Sequence, residues 1–73
     1  MMYTNDQIQI PAYSIRLLTG NEVANILNIS RAFAYRLMKE GTIPTVRIGS
    51  AVRVRYESLQ MFIDENTVIA RIS

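Results

Sequence analysis

The chain has 73 residues, 49% of them hydrophobic, which allows one folded domain with a small core. It contains no Cys and no His, which excludes a disulfide framework, a thiolate metal site and an imidazole ligand or general base. The formal net charge of +2 is unevenly spread: between Ser30 and Arg55 six cations face one acid, a local +5, while the remainder holds two cations and five acids, −3. Charge gathered in this way attracts polyanions, although a merely solvated basic surface would look the same in the sequence.

In chain order, residues 1–17 read as an arm. Gln7, Ile8, Gln9 and Ile10 alternate polar and apolar, which suits a short strand, and Pro11 stops it. The first residues lack the basic start and apolar run of a signal peptide. No apolar stretch in the chain approaches the ~18 residues a membrane span requires. The expected setting is therefore cytoplasmic, with no membrane partner.

The first helix opens at Thr19, which with Glu22 three residues later fits a capping box. Val23, Ala24, Ile26 and Leu27 follow at helical spacing and predict one buried stripe. Asn28, Ile29 and Ser30 then form a turn, with Ile29 as an apolar plug. Ser30 is a favoured N-cap for a second helix over residues 30–40, with Ala34, Leu37 and Met38 inward and Gly41 suited to end it. Two short helices across a tight turn predict a helix-turn-helix unit.

Pro44 blocks further helix. Residues 45–48 and 52–55 alternate in character around Gly49, Ser50 and Ala51, which predicts a β-hairpin. On this spacing Val46, Ile48, Val52 and Val54 turn toward the helices, and Arg47, Arg53 and Arg55 line the opposite, charged faces. A third helix is expected from Tyr56 to Glu65, with Leu59, Phe62 and Ile63 as its core stripe and no good N-cap at Arg55. Thr67, Val68, Ile69, Ala70, Arg71 and Ile72 are strand-forming and could pair with the arm or with another copy. The division is thus an arm (1–17), a domain (18–65) and a C-terminal strand or tail (66–73).

These elements together resemble the excisionase-type, MerR-like winged helix-turn-helix family. The likeness is carried by Leu18-Thr19, Glu22-Val23-Ala24 and Ser30-Arg31, then Tyr35-Arg36-Leu37-Met38 with Gly41 and Ile43-Pro44. It continues through Val46-Arg47-Ile48-Gly49, Arg53-Val54 and finally Leu59 and Phe62. The resemblance implies a mostly α fold with a small β-hairpin wing and binding of double-stranded DNA without a cofactor. It further implies a phage or mobile-element regulator or excisionase, acting with an integrase or recombinase or as cooperating copies. The sequence departs from the family pattern at Ala51, where the wing tip often carries Arg or Lys. It departs again at Arg55, where Pro, Ser or Asp usually opens the third helix, and at Phe33, a position more often small or polar.

A helix in the major groove presents its N-terminal side chains to base edges. That makes Arg31, Ala32, Phe33, Tyr35, Arg36 and Lys39 the candidate contacts. Arg36 can bond guanine O6 and N7 with its planar fork, or instead meet a phosphate or Glu40. Tyr35 can give its hydroxyl to a phosphate or pack its ring beneath the wing. Phe33 can touch a thymine methyl, stay at the core margin or serve an oligomer contact. Arg31 is assigned to a phosphate, and Ser30 to capping with a possible second role at the DNA. Arg47 and Arg53 on the wing are assigned to phosphates, against the alternative that they only keep an edge strand soluble. Arg55 is divided between DNA and an ion pair with Glu57 or Glu22.

The acids are scattered, no Ser has a visible base and no Gly-rich loop is long enough to hold a phosphate, so no catalytic or metal-binding residue is nominated. The competing class is a protein-interaction adaptor, antitoxin-like or integrase-binding, that uses Phe33 and the C-terminal segment.

Overall fold

A computed structural model describes residues 15–69. The expectations for residues 1–14 and 70–73, including the strand around Ile8 and Ile10, lie outside the described residues. The elements run β1 (Leu17–Leu18), α1 (Gly20–Leu27), α2 (Arg31–Lys39), β2 (Val46–Ile48), β3 (Ala51–Arg55) and α3 (Tyr56–Glu65).

The first helix starts where its amides find partners. Thr19 Oγ1 accepts from the Glu22 N–H at 3.1 Å, and Glu22 Oε1 accepts from the Thr19 N–H at 2.9 Å, completing the capping box. Arg16 forms an ion pair with the same carboxylate. Asn28 ends α1 in the left-handed region at φ 58, which Asn tolerates better than most residues. The Ile29 N–H then donates back to the Ala24 carbonyl at 3.0 Å, folding Ile29 half-buried against the core.

Ser30 caps α2 through Oγ, which accepts from the Phe33 N–H at 3.1 Å. At the other end Gly41 takes φ 81, and the Ile43 N–H donates to the Leu37 carbonyl at 3.2 Å. That reversal drives Ile43 into the core, where it has no exposed surface. Leu18, Val23, Ala24, Ala34, Met38, Val54 and Leu59 complete the buried set, with Leu27, Leu37, Phe62 and Ile63 packed around it. The third helix has no side-chain cap at Arg55, as its sequence implies, and is held by the burial of Leu59.

Three residues expected in the core, Ile26, Val46 and Ile48, are outside it. Ile26 is 51% exposed: it lies over a shallow gap beside Tyr56 and Gln60 of α3, which the third helix does not close. Ile48 is 59% exposed, and it and Val46 lie on the face of the hairpin turned away from Val54. Beyond α3, Thr67, Val68 and Ile69 are in no strand, and Val68 and Ile69 stand 89% and 81% exposed.

The sheet is antiparallel in the order β1-β3-β2. Leu17 pairs with Arg55 and Leu18 with Val54, so the last residue assigned to the arm and the first of the domain add a strand that the sequence pattern did not indicate. Across the hairpin Val46 pairs with Arg53, Arg47 with Val52 and Ile48 with Ala51. Ala51 is therefore in the strand, and the turn is Gly49 and Ser50 alone, with φ 59 at Gly49 as a two-residue hairpin turn demands.

That one-residue difference in the turn inverts an expectation. Directly opposed residues share a face, and a one-residue slip moves every side chain of a strand to the other face. Leu18 and Val54 are buried partners, so their face looks toward the helices, and Val52 and Arg47 lie on it. Val46, Ile48, Arg53 and Arg55 occupy the reverse face. The three wing arginines do not share a side.

Two outcomes test this account. Ile43→Ala should cost about 2–5 kcal/mol in urea unfolding, whereas Ile26→Ala should cost no more than about 1 kcal/mol. The second concerns acid. The backbone hydrogen bond from Thr19, with the Arg16 charge beside it, holds the Glu22 carboxyl below its ordinary value of 4.5. A depressed folded value stabilises the native state above the unfolded value and is lost as pH falls through the folded one. Stability curves of the wild type and Glu22→Gln should therefore differ most at neutral pH and converge below pH 4.5.

Candidate nucleic-acid interface

The inward side of α2 is fixed by Ala34 and Met38, both buried, and by half-buried Leu37. The rotation that seats those three leaves Arg31, Ala32, Phe33, Tyr35, Arg36 and Lys39 exposed. All six α2 candidates thus emerge on the solvent side of one short rod. Ser30 is exposed beside them, with its hydroxyl engaged in the cap.

The cations on this surface are not consumed by neighbouring acids. Among the described residues the ion pair is Arg16 with Glu22. Arg36 does not pair with Glu40, nor Arg55 with Glu57 or Glu22. Instead the Arg36 guanidinium carbon lies over the Phe33 ring, 4.9 Å from its centroid. The first turn of α2 has no acid and begins with Arg31, although a helix N-terminus favours negative charge. Arg36 and Lys39 stand in the last turn, where the helix dipole favours cations. Helix stability therefore accounts for Arg36 and Lys39 but not for Arg31.

Between α2 and the wing runs an open groove of about 460 Å³. Tyr35 and Lys39 line its helix side, and Thr45, Arg47 and Val52 its wing side. The inverted register is what brings Arg47 here, toward α2. Arg53 and Arg55 are not brought to the groove. Arg53 is half-buried on the reverse face and donates from Nη1 to the Val52 carbonyl at 2.9 Å, while Arg55 is exposed opposite Leu17.

Two contributors escaped the sequence reading. Thr45 enters as a polar wall of the groove. Gly20, the first residue of α1, is buried under the Tyr35 ring, and a Cβ built there would stand 2.4 Å from Tyr35 Cζ. Glycine costs a helix roughly 1 kcal/mol relative to alanine, so its presence inside a well-capped start was the available signal of a close approach. The contact seats the Tyr35 ring between the start of α1 and the wing. No group of three or more metal-ligating side chains is assembled among the described residues.

Three helices, with a hairpin wing standing beside the second of a turn-linked pair, define a winged helix-turn-helix protein. A family model described as a helix-turn-helix domain matches residues 17–67, and the chain belongs to that family. It is 39% identical over 44 residues to "Putative DNA-binding protein MT0521" of Mycobacterium tuberculosis (strain CDC 1551 / Oshkosh). The same identity over the same length is found with "Putative DNA-binding protein Rv0500A" of strain ATCC 25618 / H37Rv. Each match covers 60% of this chain and 56% of the relative, so the shared stretch spans a little over half of those proteins. No solved structure matches the chain.

The Gly20 contact is directly testable. In Gly20→Ala the added methyl meets three ring atoms at 2.4–2.8 Å, closer than any real contact, so the ring must move. Tyr35 is half exposed and free to swing outward. The expected result is loss of the Tyr35–residue 20 nuclear Overhauser contacts, with a melting temperature within about 5 °C of wild type because alanine offsets part of the loss through helix propensity.

Proposed function

We propose that this protein binds double-stranded DNA with sequence preference, α2 lying in the major groove and the wing along the adjacent backbone or minor groove. The observation that carries this reading is the solvent face of α2. It presents Arg31, Arg36 and Lys39 without carboxylate partners among the described residues, and Arg47 stands across the groove from Lys39. The names of the mycobacterial relatives agree with it.

In this reading Arg36 makes the base contact, through paired bonds to guanine O6 and N7. Arg31, Lys39 and Arg47 neutralise phosphates, and Ser30, Ala32, Phe33 and Tyr35 shape the contact surface. Arg53 and Arg55, on the reverse face of the wing, meet a second phosphate row when the hairpin sits between the two backbones of a minor groove. Residues 18–65 form the binding unit.

The biological role we infer is that of a small phage or mobile-element regulator or an excisionase of the MerR-like type. A domain of this size touches a short site, so useful affinity calls for several copies or for a recombinase partner. A protein-contact role is the second reading. It is favoured by exposed Val68 and Ile69 and by an apolar groove lined by Leu27, Ile29, Leu37 and Phe62.

Titration of duplex affinity against salt separates the two. DNA binding through phosphates should give a log–log slope of about −0.9 for each phosphate neutralised, and a flat response would leave only the protein-contact role. Arg36→Ala should relax base preference at a cost of about 1–3 kcal/mol on the preferred site. Arg47→Ala should weaken all duplexes alike and reduce the slope by about 1. Equal weakening of every sequence by Arg36→Ala would remove the base contact from that residue.

A further inference from the structure

We propose that Phe33 sets sequence preference indirectly, as a positioning residue that holds Arg36 ready for its base. The inference rests on the reading of α2 as the major-groove helix and concerns which residue makes Arg36 selective.

Phe33 and Arg36 are one helical turn apart, so their side chains are neighbours on the surface of α2. The guanidinium carbon lies 4.9 Å from the ring centroid, within the range of a cation–π attraction. The ring is 39% exposed and lines the apolar groove with Leu27, Ile29, Leu37 and Phe62, so part of it borders apolar side chains rather than standing clear in solvent. Glu40, the acid one turn further on, does not capture the guanidinium among the described residues, so its N–H donors are not committed to a carboxylate.

An arginine side chain free in solvent samples many rotamers and must give up that freedom when its fork engages a base. Seating on the ring removes part of the freedom beforehand, so less is lost on binding and the geometry for two parallel bonds is favoured over a single bond to a phosphate. The same seating covers one face of Phe33 with Arg36, which argues against that face meeting a thymine methyl directly. A large aromatic at a position where the resembled family is usually small or polar thus acquires a role through its neighbour.

The test uses the full chain and two probes. One is a duplex selected by the wild-type protein from a randomised pool, and the other is a scrambled duplex of equal length and composition. Phe33→Leu should lower the ratio of the two affinities about two- to fivefold, the range expected from an exposed cation–π pair. Phe33→Tyr, which keeps the ring, should retain it. In an Arg36→Ala background Phe33→Leu should change the ratio no further, because its effect passes through Arg36. In the free protein, the upfield ring-current shift of the Arg36 Hδ protons should be present in wild type and Phe33→Tyr and absent in Phe33→Leu. An unchanged ratio in Phe33→Leu, or an equal fall with and without Arg36, would overturn the proposal. Failure of the wild type to bind either duplex with salt dependence would instead overturn the DNA reading beneath it.

Discussion

The burial of Val54 against Leu18 is the contact on which the functional geometry depends. Val54 lies on the central strand of the sheet, with β1 on one side and β2 on the other, and has no exposed surface. Through it the hairpin is fastened to the same core that α1 and α2 share. A two-stranded hairpin standing alone is at best marginally stable in water. The short β1 strand and the core face of β3 convert such a hairpin into a fixed part of the domain. The angle between wing and α2, and hence the groove holding Lys39 and Arg47, follows from that attachment.

Much of this was legible before any coordinates. The capping box at Thr19 and Glu22, the turn at Asn28, the Ser30 cap and the Gly41 stop are local devices, each written in a few adjacent residues, and the structure shows each. The outward set on α2 followed from helical spacing once Ala34, Leu37 and Met38 were taken as inward. The illegible features are those decided by distant partners. Leu18 and Ile43 belong to no periodic run, and only the fold brings them to the core. Ile26 fits the α1 stripe perfectly well by spacing but lies over a gap that the position of α3 leaves open. The faces of the wing depended on whether Ala51 belonged to turn or strand, a distinction of one residue that alternation alone does not make. Gly20 was visible as a letter, but its reason, the ring of Tyr35, is fifteen positions away in sequence.

Stability and surface chemistry are unevenly divided along the chain. No polar or charged side chain is buried among the described residues, and the core is wholly aliphatic apart from Met38. The cations between Ser30 and Arg55 therefore take no part in the buried core itself. Arg31 is the clearest instance, since it stands at a helix end where the dipole opposes it. Glu22, in contrast, is an acid engaged in structure, capping α1 and pairing with Arg16. Such separation allows the contact surface to vary while the cap and core remain.

The tight reversal at Gly49 and Ser50 has a consequence for how such a chain can diversify. Residues added within the reversal can be looped out without changing which strand residues oppose each other, so Arg47 stays opposite Val52 and on the side of the helices. The tip can therefore grow outward without re-aiming its cations, whereas a slip of the pairing itself by one residue would turn a whole strand over.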